Sequence, residues 1–199
     1  MGGTGDAGCG MRSGARSRLV LLVAVLLWTP GCLVLTVNPS HAPDDLLWEP
    51  GLLGEWRNTD DNASMKIERG EWQSYKIEYA HPIEKGQLTG HLTTIGKVQY
   101  LDVMPARGTD HGSFLLPMHA SLRVQLDADR LELTALSYDW FFDRLTTKAA
   151  IPGLTVALDE KENALIVSPT AAVRAWIAKQ PAGSAAFGAS AVFTRKPGA

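Results

Sequence analysis

The chain is 199 residues long, 45% hydrophobic and 20% charged, with a formal net charge of −2 at pH 7. That length suits one domain plus a leader, and the composition is that of a globular protein. The mild acidity, with no basic patch, excludes nucleic acid as the expected partner, because phosphate binding rests on clustered Lys and Arg. The two cysteines, Cys9 and Cys32, both precede the folded part, which excludes a disulfide framework.

Residues 1–31 read as a signal peptide. Arg12, Arg16 and Arg18 form a positive flank, residues 19–28 an apolar core, and Thr29, Pro30 and Gly31 break the helix ahead of Cys32. Met11 stands at the head of the charged flank and is an alternative start. Thr29-Pro30-Gly31-Cys32 resembles the lipobox of bacterial lipoproteins, with Thr29 where Leu is usual and Pro30 where Ser, Ala or Thr is commoner. The resemblance implies that Cys32 is the first residue of the mature protein and carries lipid. One acyl chain gives only marginal membrane binding, so stable anchoring takes more than one. Leu33 after the cysteine, by the same resemblance, implies an outer membrane in a cell that has one.

Two other outcomes stay open for this stretch. Residues 19–37 carry no charge and approach the roughly 20 residues that span a bilayer, which would leave an uncleaved anchor with Pro30 and Gly31 inside it. Ser40 and Ala42 are small residues at the spacing of an ordinary cleavage site, although Pro43 follows. Residues 32–49 are expected to be a lipidated N-terminus and flexible tether. Their first half is rich in Pro, Asn, Ser and Asp, and His41 reads as a solvated linker residue.

From residue 50 to 196 the apolar period is two. Met65 and Ile67 alternate with Lys66 and Glu68; Tyr75, Ile77 and Tyr79 with Lys76 and Glu78. Ala120, Leu122, Val124 and Leu126 share one face of the next long run, and Leu131, Leu133 and Ala135 one face of the run after it. Turn residues at 58–63, 69–72, 84–86, 95–97, 127–129 and 159–163 separate the strands, which predicts an all-β antiparallel meander forming a sandwich or a closed barrel. Two segments read as helix: a short aromatic insertion at 138–145, and residues 168–180 with Ser168 as N-cap and Val173, Trp176 and Ile177 on one stripe. A last strand is expected at 190–196, and residues 197–199 are a tail.

Gly54-Glu55-Trp56 opening the first strand, a late helix and a final strand bearing Arg195 together resemble the lipocalin-like (calycin) barrels. More specifically, the chain resembles small bacterial envelope lipoproteins with such a domain. The resemblance implies that Trp56 and Arg195 form a structural pair closing one end of the barrel, with the guanidinium stacked over the indole. Gly54 shares the face of Trp56 and would leave room for the indole.

No motif for catalysis or metal binding emerges. His81, His91, His111 and His119 do not fall at the short spacings of metal-ligand motifs and read as turn or solvent-facing residues. His119, Asp102 and Ser121 could compose a catalytic set, but nothing marks a nucleophile. Residues 104–114 form the longest turn-rich segment, a candidate lid with Arg107, Asp110 and His111 at its rim. Trp140, in the aromatic insertion, is a candidate barrel-mouth residue. The expected protein is therefore a non-enzymatic, membrane-anchored envelope lipoprotein without cofactor, facing the periplasm or the exterior. An eight-stranded barrel either holds one small apolar ligand or is filled by its own side chains. In the second case it is a structural or protein-interaction module, a reading also compatible with the uncleaved anchor.

Overall fold

The computed structural model describes residues 34–82, 84–106, 117–160 and 162–196. Eight antiparallel strands close into a barrel: β3 (Gly54–Arg57), β4 (Ser64–Arg69), β5 (Ser74–His81), β6 (Glu84–Ile95), β7 (Val98–Pro105), β8 (Ala120–Asp127), β9 (Arg130–Leu136) and β12 (Phe187–Arg195). Consecutive strands pair as a meander from β3 to β9; β12 then closes the ring between β9 and β3. The fold is the all-β, lipocalin-like barrel that the resemblance implies, with one helix before the last strand.

Strand alternation divides the side chains into two cores. Inward positions supply Trp56, Met65, Ile67, Tyr75, Ile77, Leu92, Leu101, Leu131, Leu133 and Phe193, one continuous buried cluster inside the barrel. Leu52, on a 3-10 turn at Pro50–Leu52, belongs to the same cluster. Burying each such side chain contributes about 1.5–3 kcal/mol against leaving it exposed. Ala135, expected on the core face, is exposed near the end of β9.

The second core lies on the outer face of β6 to β9. It is covered by a three-stranded sheet of β1 (Val34–Thr36), β11 (Ala164–Ile166) and β10 (Val156–Leu158), and by helices α1 (Tyr138–Thr146) and α2 (Thr170–Ala178). Val34, Ile95, Tyr100, Leu136, Phe141, Ile166, Val173, Trp176, Ile177 and Phe187 fill it. Phe187 and Phe193 are six apart, yet face opposite cores. The reason is an extra residue in β12: Phe187 opposes Leu136 while Ser190 opposes Thr134, and this bulge reverses the alternation. The strand therefore starts at Phe187 rather than at 190.

Two expectations about the periphery are corrected. Residues 34–47 are not a free tether: β1 pairs in parallel with β11, Thr36 and His119 exchange backbone hydrogen bonds, and β2 (Leu46–Leu47) pairs with β6. Thr36 and Ser40 are fully buried. Ser168 does not cap α2; the N-cap residue is Pro169, and Ser168 Oγ accepts from the Thr155 amide at 2.7 Å. The insertion does form a helix, capped by Ser137, whose side chain accepts from Trp140 N.

Candidate functional site

The most unusual chemistry in the molecule is a buried carboxylate surrounded by imidazoles. β6, β7 and β8 place His91, Asp102 and Ser121 in one cross-strand row on the barrel's outward face. On an open sheet this row would meet water. Here the segment after β1 lies over it, and Asp102 is 0% exposed.

A buried carboxylate must be hydrogen-bonded to stay charged. Asp102 Oδ1 receives His119 Nδ1 at 2.6 Å, and Oδ2 receives both the Ser40 amide and Ser40 Oγ, the latter at 2.8 Å. His41 Nδ1 stands 3.7 Å from Oδ1. Burial by itself would raise the Asp102 pKa. The hydrogen bond from His119, the neighbouring His41 and the Ser40 amide outweigh burial and hold the carboxyl well below the usual carboxylate range. With the carboxylate ionised, His119 Nδ1 must carry the hydrogen of their bond.

His41 stacks on His91, ring centroids 4.4 Å apart, and meets His119 edge-on at 6.3 Å. Burial, then the adjacent His41, lowers the His91 pKa, because a charged imidazole in this stack would be poorly solvated. Arg174 on α2 ties the same segment down from the other side: Nη1 donates to Ser40 O and Thr93 Oγ1, and Nη2 to Asp45 Oδ2 and Thr94 O. Two charged side chains, one on the barrel and one on the helix, thus grip residues 40–45.

Chemically, the Asp102–His119 pair is the acid–base half of a relay. The other half is a hydroxyl hydrogen-bonded to the far side of the imidazole. Ser40 Oγ instead donates to the carboxylate, and Ser121 Oγ is buried without a hydrogen-bond partner. Among the described residues no group of His, Cys, Asp and Glu is arranged to hold a metal ion.

His81 ends β5 at the turn into β6, as expected, while three other histidines are placed differently from the turn or solvent positions expected for them. His119 is buried, His91 is half-buried and His41 lies within the cluster. The set His119, Asp102 and Ser121 does converge, but His41, Ser40 and Arg174 were not anticipated. One signal was available: a two-residue turn at Gly96–Lys97 fixes the β6–β7 register and sets His91 opposite Asp102.

Arg195 Cζ lies 4.2 Å from the centre of the Trp56 ring. Its Nη1 donates to Leu53 O at 2.6 Å, its Nη2 to Gly51 O at 2.7 Å, and its Nε to Asp129 at 3.0 Å. Gly54 has a φ of +128°, and a Cβ there would come within 2.8 Å of Arg195 Nη1. The space kept by Gly54 serves the guanidinium, not the indole as expected. Trp140 packs in the outer core against Phe141 and Trp176, with Arg144 over its ring, rather than at a barrel mouth. Cys32, Arg107, Asp110 and His111 lie outside the described residues.

One cavity, of about 750 Å³, is lined by Glu55, Arg57, Lys66, Glu78, Lys85 and Gln87, among others. These residues alternate with the core side chains of β3 to β6, and none of the lining comes from β7, β8 or β9. It is thus a charged outer groove, not the barrel interior. Compared with protein-family models, with curated proteins and with solved structures, the chain gives no match.

Proposed function

We propose that the protein is a lipid-anchored envelope lipoprotein, attached through Cys32, whose barrel is a filled, non-enzymatic module that works through its outer surfaces. The observation that carries this reading is the docking of residues 34–41 onto the barrel. Val34 is buried and paired with Ala164, and Ser40 is bound to Asp102. Cleavage after Ala42 would remove β1 and both Ser40 and His41 from the fold. An uncleaved membrane helix would have to end before Val34, which leaves residues 19–33, short of the roughly 20 that span a bilayer. Processing just before Cys32 keeps every docked residue and puts the anchor two positions from Val34, which is buried. The barrel would then sit close against the bilayer.

The filled-module reading is supported by the large inward side chains, Trp56, Tyr75, Met65, Leu101 and Phe193, that meet across the interior. The non-enzymatic reading is supported by Ser40 Oγ donating to the carboxylate rather than to an imidazole. Intact-mass analysis of detergent-extracted protein tests the anchor. A mass starting at Cys32 plus acyl chains is expected, and an intact leader or a start at Pro43 would overturn it. Titration with a fluorescent fatty-acid analogue tests the interior. No saturable binding is expected; one ligand bound per barrel would instead restore the small apolar ligand as the function.

A further inference from the structure

Arg123 carries a buried positive charge that meets no carboxylate among the described residues. It projects from the outward face of β8, beside Tyr100 of β7, and is only 7% exposed. Among the described residues it forms no ion pair. Its Nη1 donates to Ala182 O at 2.8 Å, its Cζ stacks 3.8 Å over Phe187, and its buried Nε has no hydrogen-bond partner. Burying a guanidinium in this way is costly unless an anion or enough acceptors repay the lost hydration.

The same side chain lines a cavity of about 160 Å³ between the β6–β7 turn and the C-terminal end of α2. Lys97 stands on that turn, exposed, at the cavity's rim, and Gln125 and Gln180 add amides. Ile95, Val98, Tyr100 and Ile177 make the walls apolar. Among the described residues, no acidic one lines it. The end of α2 brings partial negative charge, equivalent to about half an elementary charge, which is less than the two full cations facing it.

From this arrangement we infer that the cavity binds a small organic monocarboxylate with a short apolar tail. The Arg123 guanidinium and the Lys97 ammonium receive the carboxylate, since a planar guanidinium matches a planar carboxylate better than it matches a point acceptor. The tail lies against Ile95, Val98 and Ile177. A volume of about 160 Å³ is room for about five waters at roughly 30 Å³ each, which suits an anion of about six heavy atoms such as butyrate.

Calorimetric titration of the full, detergent-extracted protein with butyrate, with butyramide as its uncharged isostere, and with inorganic phosphate tests the assignment. Saturable butyrate binding is expected, with butyramide weaker by about tenfold or more, the ratio set by one charge-assisted contact. Lys97→Gln, at an exposed turn position, should weaken butyrate several-fold without changing the melting temperature of the ligand-free protein. Arg123→Lys keeps the charge but loses the planar edge and should weaken binding further. Equal binding of butyrate and butyramide, or butyrate affinity unchanged in Lys97→Gln, overturns the proposal. Phosphate binding more tightly than butyrate would reassign the cavity to inorganic anions and overturn it as well.

Discussion

Replacing Asp102 by Asn keeps the size of the side chain and removes its charge, so it isolates the electrostatic part of the clamp on residues 40–45. Three donors now converge on the carboxylate: His119 Nδ1, the Ser40 amide and Ser40 Oγ. Hydrogen bonds to a charged acceptor contribute about 1.5–3 kcal/mol each and neutral ones about 0.5–1.5, so losing charge assistance costs about 1 kcal/mol per bond. The amide group of Asn must also face either Ser40, where two donors already point, or His119, whose ring would have to exchange its Nδ1 hydrogen for a lone pair. The second arrangement is cheaper, and the expected total is about 2–3 kcal/mol. For a domain of this size that is a fall of about 5–10 °C in melting temperature. Urea unfolding followed by tryptophan fluorescence at pH 7 measures it, and limited proteolysis should show earlier cutting between Val37 and Asp45. An Asn variant within about 0.5 kcal/mol of the parent, with unchanged proteolysis, would refute the claim that this carboxylate holds the segment down.

Acidification should act through the same cluster. The folded state holds the pKa of His91 below its ordinary value, so the unfolded chain takes up that proton first. Stability from this group is complete above about pH 6.5 and falls as the pH drops below it; the slope of stability between pH 7.5 and 5.5 should flatten in His91→Gln, and an equal slope in both proteins would contradict this. Gly54→Ala should destabilise by about 1–3 kcal/mol, because φ is +128° and the new methyl meets Arg195, a loss readable by thermal melting. Arg195→Met should cost about 2–3 kcal/mol through its bonds to Leu53 O and Gly51 O and its stacking on Trp56; a change below about 0.5 kcal/mol would argue against a closing role for the pair. In the β4–β5 turn, Trp72 and Gln73 both take positive φ, +52° and +61°, and Trp72 is 88% exposed. Asn and Gly suit such a turn better, so Trp72→Asn with Gln73→Gly should stabilise by about 0.5–1 kcal/mol in the same denaturation assay.

Alternation in the sequence determined the antiparallel strands, because a strand with one buried face must repeat every two residues and the runs around Met65, Ile77, Leu122 and Leu131 do so. It also determined which side chains of those runs face inward, while closure into a barrel and the place of Trp56 rested on the resemblance to lipocalin-like barrels. The β12 bulge escaped it, since one extra residue between Phe187 and Ser190 breaks the period that would have revealed the strand's beginning. The candidate site was half legible. Parity puts His91 and Asp102 outward, and the short turn at Gly96–Lys97 puts them opposite each other. Outward normally means solvated, and nothing local says otherwise. Only the tertiary structure decided that residues 34–45 return across that face, because their burial depends on partners far along the chain: Ile166, His119 and Arg174. The same long-range covering turned a row of surface polar residues into a desolvated cluster, and left Arg123 buried beneath the end of α2.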